Sequence, residues 1–466
     1  HKYFPEMYAY AQPSRVEHLL YHTSGLREHG VLSNLAGLCP LDYCTADSVA
    51  MICRQKGVNY PAGETWLYNN AGYVLQSEIV QRVTGQALPL FVQENIFNPL
   101  GMKDTIFGDD CTRIIKNRAA SYEPDSSGGF RCLLMTNNVL GSAGVMTTVE
   151  DLYQWDQNFY NPKVGGEVFI QQMLITGKLN DGRDVGYSAG QVHSEVCGQK
   201  AISHSGVEFG YRSIVMRFPE KHFSIICLAN LATFTPAVIA EEIAKIFLTG
   251  KAAGQAVDQT PTFISPPKSK PNPAPVVPVS AKNEIAGFYF DAQSGAFVEL
   301  SHQGELYFAE AMDETIPVTL TKHECSPEKE TLTLEFNDPA SAVTLKIELM
   351  RTKDDWSMQA EIMQCKLPVL RQTEIAKPTR TSLNEYVGTY YSAELKALYE
   401  ITENDGLLAL VNLTGLRGNL KCGPADLFTI NGNSLQFTRD PNGQVNGFKL
   451  WNLFARGLEF VRFIHV

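Results

Sequence analysis

Two short segments of the sequence carry residue types that can perform acid–base chemistry on a carbonyl substrate. In Trp66–Leu75 ("WLYNNAGYVL"), Tyr68 and Asn70 stand two residues apart just before a helical pattern. A phenol beside a positive charge loses its proton more easily and can act as a general base. An amide such as Asn70 offers a donor and an acceptor to a substrate amide. The alternative is structural: Asn69 or Asn70 caps the helix and Tyr68 is a surface aromatic.

The second segment, Ile202–Ser213 ("ISHSGVEFGYRS"), places His204 before or at the start of a predicted strand. Its side chain can hold a carboxylate or another polar group of a substrate, and Gly206 lets a backbone approach closely. The N–H of Val207 can donate to a developing oxyanion. We therefore predict catalytic residues and substrate-binding residues, which are Tyr68, Asn70, His204 and Val207 for the first role and Ser205 and Gly206 for the second.

A third segment, Val16–Leu26 ("VEHLLYHTSGL"), reads as a helix that ends in a polar turn at Gly25. Thr-Ser-Gly is ordinary turn chemistry. We therefore interpret this segment as structural and do not predict Ser24 as a nucleophile.

The elements that would position these residues mix helices and strands. Apolar residues at helical spacing predict helices over Ala71–Thr84, which Gly85 would end, over Ala237–Leu248, and after a cap at Thr148. Two apolar and β-branched runs separated by Pro219-Glu220-Lys221-His222 predict a hairpin. Helices packed on an antiparallel sheet, an α+β unit, follow from this order.

The 466 residues exceed one ordinary domain. A Pro-rich stretch over 251–282 predicts an extended linker after a unit of residues 1–250. Beyond it, short alternating segments predict two antiparallel β-barrel repeats, at 283–372 and 381–466. The repeats share three residue pairs, which are Gly287 and Gly388, Tyr289 and Tyr390, and Glu299 and Glu400.

Composition narrows the partners. With 39 Lys and Arg against 50 Asp and Glu, the formal net charge is −11, which argues against a nucleic-acid partner. No apolar run is long enough for a transmembrane segment. The ten cysteines lack CxxC pairs and zinc-ligand spacing, so we predict no metal and no cofactor. The expected partner is a small-molecule or peptide substrate, and the oligomeric state stays open.

Taken in order, these segments resemble the β-lactamase-like serine hydrolase superfamily, which comprises penicillin-binding proteins and class C β-lactamases with their esterase and D-aminopeptidase relatives. The resemblance extends over residues 1–250. Its motifs are "HTSGL", Tyr68-x-Asn70, "NIFNPLGMKDT", "GSAGVMTTVEDL", and His204-x-Gly206 in place of the Lys-Thr-Gly of relatives. It implies a helical region with an antiparallel sheet flanked by helices, and acylation of a serine followed by hydrolysis. The C-terminal repeats are similar to those appended to D-aminopeptidase-like members.

The resemblance also implies a Ser-x-x-Lys element with the nucleophile and its lysine. We expect it upstream of "HKYFPEM", since the strings at Ser265–Lys268 and Ser326–Lys329 lie in the wrong context. Replacing Lys by His204 weakens the permanent positive charge, which favours peptides, amides or esters, as for a D-aminopeptidase, carboxypeptidase or esterase, over a true β-lactamase. By the same resemblance the expected location is periplasmic or secreted, with a cytoplasmic one left open.

Three functional hypotheses follow. The first is an active serine hydrolase with Tyr68 as general base or proton shuttle and Asn70 orienting the substrate. In it His204 contacts the substrate or tunes the proton relay, and the Val207 N–H forms half of the oxyanion hole. The second is a catalytically inactive relative that binds a peptide or serves as a scaffold. The third uses another nucleophile, such as Ser205, in the same cleft.

Overall fold

The structure of the chain is a computed structural model. It describes residues 1–11, 14–39, 41, 43–250, 284–303, 306–311, 314–325, 330–338, 343–352, 355–362, 365–373, 375, 383–411, 415–424 and 426–463. The predicted Pro-rich linker at 251–282 and the strings Ser265–Lys268 and Ser326–Lys329 lie outside these residues.

The helices belong to the N-terminal unit and carry the caps that the sequence predicts. They are α1 (Val16–Leu20), α2 (His29–Ala36), α3 (Thr45–Cys53), α4 (Asn70–Thr84), α5 (Leu88–Val92), α6 (Asn98–Leu100), α7 (Val149–Gln157), α8 (Gly166–Met173) and α9 (Pro236–Thr249). A π-helical turn, Gln93–Phe97, joins α5 to α6. Gly85 ends α4 with a left-handed φ of 75°, and the Thr148 hydroxyl accepts the Asp151 N–H at the start of α7.

The "HTSGL" segment is not the end of a helix. Helix α1 already ends at Leu20, and the chain from Tyr21 onward forms a buried loop. Gly25 has a φ of 71°, and a Cβ at this position would lie 1.8 Å from the Tyr60 carbonyl oxygen. The glycine is required by this close approach of two backbones.

Eight strands complete the N-terminal unit. They are β1 (Ile106–Phe107), β2 (Ser121–Pro124), β3 (Phe130–Leu133), β4 (Val145–Met146), β5 (Val192–Val196), β6 (Gln199–Glu208), β7 (Tyr211–Phe218) and β8 (Phe223–Ala229). The last four form an antiparallel sheet in the order β5-β6-β7-β8, and β1 pairs with β4 and β2 with β3. Ala240 and Ala244 of α9 pack against Ile214 and Phe218 of β7. The predicted hairpin is β7 and β8, so the expected helices on an antiparallel sheet are confirmed.

The first C-terminal sheet closes into a barrel of eight strands. Its strands are β9 (Gly287–Phe290), β10 (Phe297–Gln303), β11 (Leu306–Ala311), β12 (Glu314–Cys325), β13 (Glu330–Asp338), β14 (Val343–Thr352), β15 (Asp355–Ile362), β16 (Cys365–Lys366) and β17 (Leu370–Thr373). They follow the order β14-β13-β12-β11-β10-β9-β17-β15, and β15 pairs back to β14, while β16 adds only to β15. Closure removes the free edges of the sheet.

The second C-terminal sheet is nearly closed. Its strands are β18 (Gly388–Ser392), β19 (Ala397–Asn404), β20 (Leu407–Val411), β21 (Gly418–Asn419), β22 (Lys421–Cys422), β23 (Leu427–Ile430), β24 (Asn433–Arg439), β25 (Val445–Asn452) and β26 (Ala455–Phe463). The order β21-β20-β19-β18-β26-β25-β24-β23-β22 puts two strands that adjoin in sequence, β21 and β22, at its two ends. The two predicted β-barrel repeats are therefore present.

The repeat in the sequence has a structural counterpart in two tyrosines. Tyr289 and Tyr390 are both fully buried, and each hydroxyl donates to the backbone oxygen four residues earlier, of Ile285 and Tyr386 respectively. The shared residues thus serve the same backbone bond in both barrels, which is a structural role.

The second barrel is anchored in the N-terminal unit by a buried ion pair. Arg27 contacts Glu394 at 2.7 Å, with side chains 3% and 6% exposed. Arg27 also donates to the backbone oxygens of Arg456 and Gly457. Because a buried charge needs a full set of partners, this cluster fixes the barrel against the loop that contains Arg27.

Among the residues that the structure describes, no helix is long and apolar enough to cross a membrane. The same residues contain no group of three or more His, Cys, Asp or Glu side chains arranged to hold a metal ion.

Candidate active site

Tyr68 and Asn70 stand at the start of α4. Asn69 is the N-cap, since its Oδ1 accepts the Gly72 N–H, and Asn70 is the first residue of the helix. The alternative interpretation from sequence is therefore right for Asn69. Tyr68 is not a surface aromatic, because it is partly buried in a cluster of rings.

This cluster contains residues that the sequence did not single out. The imidazole of His22 lies 4.2 Å from the Tyr68 ring centroid and 4.6 Å from that of Tyr187, and it contacts Tyr73 and Trp66 at longer distances. Burial, followed by the neighbouring Tyr73 and Glu28, raises the pKa of Tyr68 to about 12. As surrounded by these described residues, the phenol is neutral at physiological pH, and a cation beside it is needed to make it a base.

His204 lies within β6 and not at its start, because the polar run around it is paired across the hairpin with β7, His204 opposite Val215. Its ring centroid is 6.2 Å from that of Tyr68. The strand thus brings His204 beside Tyr68 from a position 136 residues further along the chain, by the difference of the two residue numbers.

Both ring nitrogens of His204 are bonded. Nδ1 lies 2.7 Å from the Ser205 carbonyl oxygen and so must carry the proton, while Nε2 lies 3.1 Å from the Tyr187 hydroxyl, which donates to it. Burial lowers the pKa of His204, against the opposing effect of the Ser205 carbonyl. The imidazole is therefore held neutral in one tautomer.

The strand β6 presents an open backbone edge next to His204. Strand β5 pairs only as far as Ser203, which leaves 204–208 without a partner on that side. Two-residue turns close both hairpins of β6, at Val196 with Gln199 and at Glu208 with Tyr211. Since bonded and non-bonded pairs alternate along an antiparallel strand, both turns direct the N–H of Val207 to the open edge.

The predicted residues of β6 divide between its two faces. By alternation, His204 and Gly206 share one face, while the side chains of Ser205 and Val207 point to the other. Ser205 and Val207 are exposed. The structure therefore brings together Tyr68, Asn70, His204, Gly206 and the backbone of Val207, but it does not bring the Ser205 hydroxyl to the face that carries His204.

Two further residues of this site escaped the sequence prediction. Glu208 shares the face of His204, accepts from Asn137 Nδ2 at 3.0 Å, and has its pKa raised by burial. Extending the strand alternation from His204 would have found Glu208. Tyr187 lies in "VGYSAG", which carries no recognisable signal, so its contact with His204 emerges only from the fold.

Comparisons with known proteins agree with this architecture. The family model "Beta-lactamase" matches residues 1–247. The D-aminopeptidase of Gluconobacter oxydans (strain 621H) is 25% identical over 217 residues, which are 46% of this chain and 41% of that protein. The D-aminopeptidase of Cereibacter sphaeroides (strain KD131 / KCTC 12085) is 25% identical over 390 residues, 82% of this chain and 66% of that protein. The chain thus spans less than two thirds of the length of either relative.

Among solved structures, the octameric penicillin-binding protein homologue from Pyrococcus abyssi aligns over 78% of both chains, with 19% identity and a TM-score of 0.47. The family assignment does not depend on this alignment. It depends on the match over residues 1–247, which is more than half of the 466 residues. The chain belongs to the Beta-lactamase family.

Proposed function

We propose that the protein is a serine hydrolase that cleaves amide or peptide bonds next to a D-amino acid through an acyl-enzyme. The observation that carries the proposal is the meeting of Tyr68 and His204, ring centroids 6.2 Å apart, beside the open edge of β6. The names of the D-aminopeptidase relatives support the choice of substrate. The serine is taken from the Ser-x-x-Lys element of the family resemblance.

In this mechanism Tyr68 acts as the general base. Its phenolate takes the proton of the serine hydroxyl while the serine oxygen bonds to the substrate carbonyl carbon, and the phenol then returns the proton to the leaving amine. A water molecule, deprotonated in the same way, releases the acid. Because the described surroundings raise the pKa of Tyr68 to about 12, the proposal requires a cation beside the phenol. The family's lysine is the group expected to supply it.

Two other groups hold the substrate. The Val207 N–H at the open edge of β6 is placed to donate to the carbonyl oxygen as its negative charge develops. An extended substrate backbone can pair with the same edge, as peptides do when they add a strand to a sheet. Asn70 at the start of α4 orients the substrate amide.

The neutral His204 argues for the class of substrate. Its proton is on Nδ1 and directed to the Ser205 carbonyl, and its Nε2 accepts from Tyr187. It therefore offers no permanent positive charge to a carboxylate of the substrate. This favours amides and N-terminal residues over the carboxylate-bearing substrates of a true β-lactamase or a carboxypeptidase.

A second candidate is a catalytically inactive protein that binds a peptide. The observation in its favour is the same open edge of β6, which can pair with a peptide without any chemistry. The two candidates differ in whether a serine becomes acylated.

The test uses the full-length natural protein. It is treated with a fluorophosphonate that labels active serines, and it is assayed with the p-nitroanilides of D-alanine and L-alanine. We expect labelling of one serine and faster hydrolysis of the D-isomer. Labelling with a preference for the L-isomer would overturn the substrate assignment alone. Neither labelling nor hydrolysis, together with measurable peptide binding, would establish the inactive alternative.

A further inference from the structure

The buried loop of residues 22–28, "HTSGLRE", is polar and yet almost inaccessible to solvent. His22, Thr23 and Ser24 are 1%, 1% and 2% exposed, and Glu28 is 8% exposed. Buried polar groups are retained where they are hydrogen-bonded. The partners of the 22–28 loop therefore show what it is built to hold.

Most of these partners lie in the four residues around Tyr68. The Leu67 N–H donates to the His22 carbonyl oxygen at 3.1 Å. The N–H of Asn69 donates to His22 Nδ1 at 3.0 Å, and its side-chain amide donates to the Leu26 carbonyl oxygen at 2.8 Å. The loop therefore grips the chain on both sides of Tyr68.

Glu28 extends this grip to Asn70. Its Oε2 accepts the N–H of Asn70 at 2.5 Å and that of Ala71 at 3.4 Å, while its Oε1 accepts the Gly30 N–H at the start of α2. A carboxylate is favourable at the N-terminus of α4, where backbone N–H groups have no helical partner. Glu28 thus fixes the backbone of the residue that orients the substrate amide.

The tautomer of His22 follows from the bonds of Asn69. His22 Nδ1 lies 3.0 Å from both the nitrogen and the carbonyl oxygen of Asn69. As the N-cap, Asn69 uses its carbonyl for the first helical bond, whereas its N–H has Nδ1 as its acceptor. Nδ1 is therefore unprotonated and Nε2 carries the proton. Burial lowers the pKa of His22 to about 3, against the effect of its bond to Asn69, so the acceptor persists near neutral pH.

The same imidazole also contacts the catalytic ring. It lies 4.2 Å from the Tyr68 ring centroid at an interplanar angle of 36°. Thus one side chain fixes both the backbone after Tyr68 and one side of its phenol.

We propose that His22 and Glu28 are positioning residues that hold Tyr68 and Asn70 in the geometry needed for acylation, His22 through its Nδ1 acceptor and Glu28 through its carboxylate. This inference rests on the proposed function, in which Tyr68 is the base. It explains why "HTSG", which has no reactive group at the substrate, stands with the Tyr-x-Asn element in this sequence.

The test compares two substitutions of equal polarity at one position. His22→Asn keeps an amide oxygen close to the place of Nδ1, and His22→Gln moves it toward the place of Nε2. In the full-length protein we expect His22→Asn to retain kcat within about threefold and His22→Gln to lose about 10- to 100-fold in kcat with little change in KM. Glu28→Gln, which keeps an acceptor oxygen, is expected to lose less kcat than Glu28→Ala.

Circular dichroism and thermal melting establish that the compared variants are folded. If His22→Gln does not fold, the Glu28 pair carries the same test. Equal kcat for His22→Asn and His22→Gln, or a loss expressed in KM alone, would overturn the positioning role while hydrolysis by the wild type left the proposed function intact. An inactive wild type would instead overturn the proposed function.

Discussion

The buried neutral His22 makes a quantitative prediction for the pH dependence of stability. Its pKa is about 3 in the folded chain, against an ordinary value of 6.5, because burial disfavours the charged form. A histidine with a lowered folded-state pKa takes up a proton when the chain unfolds. The stability that depends on neutral His22 is therefore fully present above pH 6.5 and is lost as pH falls from 6.5 toward 3.

The magnitude follows from the size of the shift. Within this window each pH unit is worth about 1.4 kcal/mol for one group. Between pH 7 and pH 5 the wild type should lose about 2 kcal/mol through this residue alone. The variant His22→Asn has no titrating group here, so its free energy of unfolding lacks this contribution.

The assay is urea unfolding of wild type and His22→Asn at pH 7 and pH 5, followed by the tryptophan fluorescence transition that includes Trp66, which neighbours His22. We expect the difference in free energy between the two proteins to shrink by about 2 kcal/mol at the lower pH. Titration of histidine ring signals by NMR gives the pKa of His22 without assuming a two-state transition. A difference that stays the same at both pH values would refute the claim that His22 is buried in the neutral form.

Three further predictions concern other contacts of the structure. Arg27→Met should lower the free energy of unfolding by about 3 to 5 kcal/mol, because it leaves the Glu394 carboxylate buried and unpaired. Arg27→Met with Glu394→Met should then lose less than the sum of the single substitutions, and additive losses in urea unfolding would contradict the pairing. Tyr187→Phe should lower kcat by about 2- to 13-fold through loss of one hydrogen bond to His204, and an unchanged steady-state rate would remove the contact from catalysis. Gly25→Ala should lower the melting temperature strongly, since its Cβ would collide with a carbonyl oxygen at 1.8 Å, and near-wild-type melting would show that the loop can shift.

The parts of the fold that local chemistry determines were predictable from sequence. The cap at Asn69 and the stop at Gly85 lie within one turn of the ends of α4, and the turn between β7 and β8 is written in four consecutive residues. The alternation of short apolar segments indicated the barrels. Closure of the first barrel was not predictable, because it depends on β14 pairing with β15 after seven other neighbours are in place.

The candidate site was predictable only in its motifs. Sequence placed Tyr68 and His204 in one site through the family resemblance, and the sheet explains how they meet. The role of His22 was missed because its partner Asn69 lies 47 residues away, a separation at which turn chemistry gives no signal. The cationic neighbour that was expected to activate Tyr68 is not among the groups that shift its pKa in the described residues; burial, Tyr73 and Glu28 all raise it.

The central claim is that Tyr68 is the base that acylates a serine. Its most direct test is the single-turnover rate of acylation of the full-length protein by a D-alanine p-nitroanilide, measured for wild type and Tyr68→Phe. Tyr153→Phe, a substitution of an exposed tyrosine on α7, is the matched control. We predict that Tyr68→Phe slows acylation by about 100- to 10,000-fold and that the control keeps the wild-type rate. An acylation rate unchanged by Tyr68→Phe would contradict the assignment.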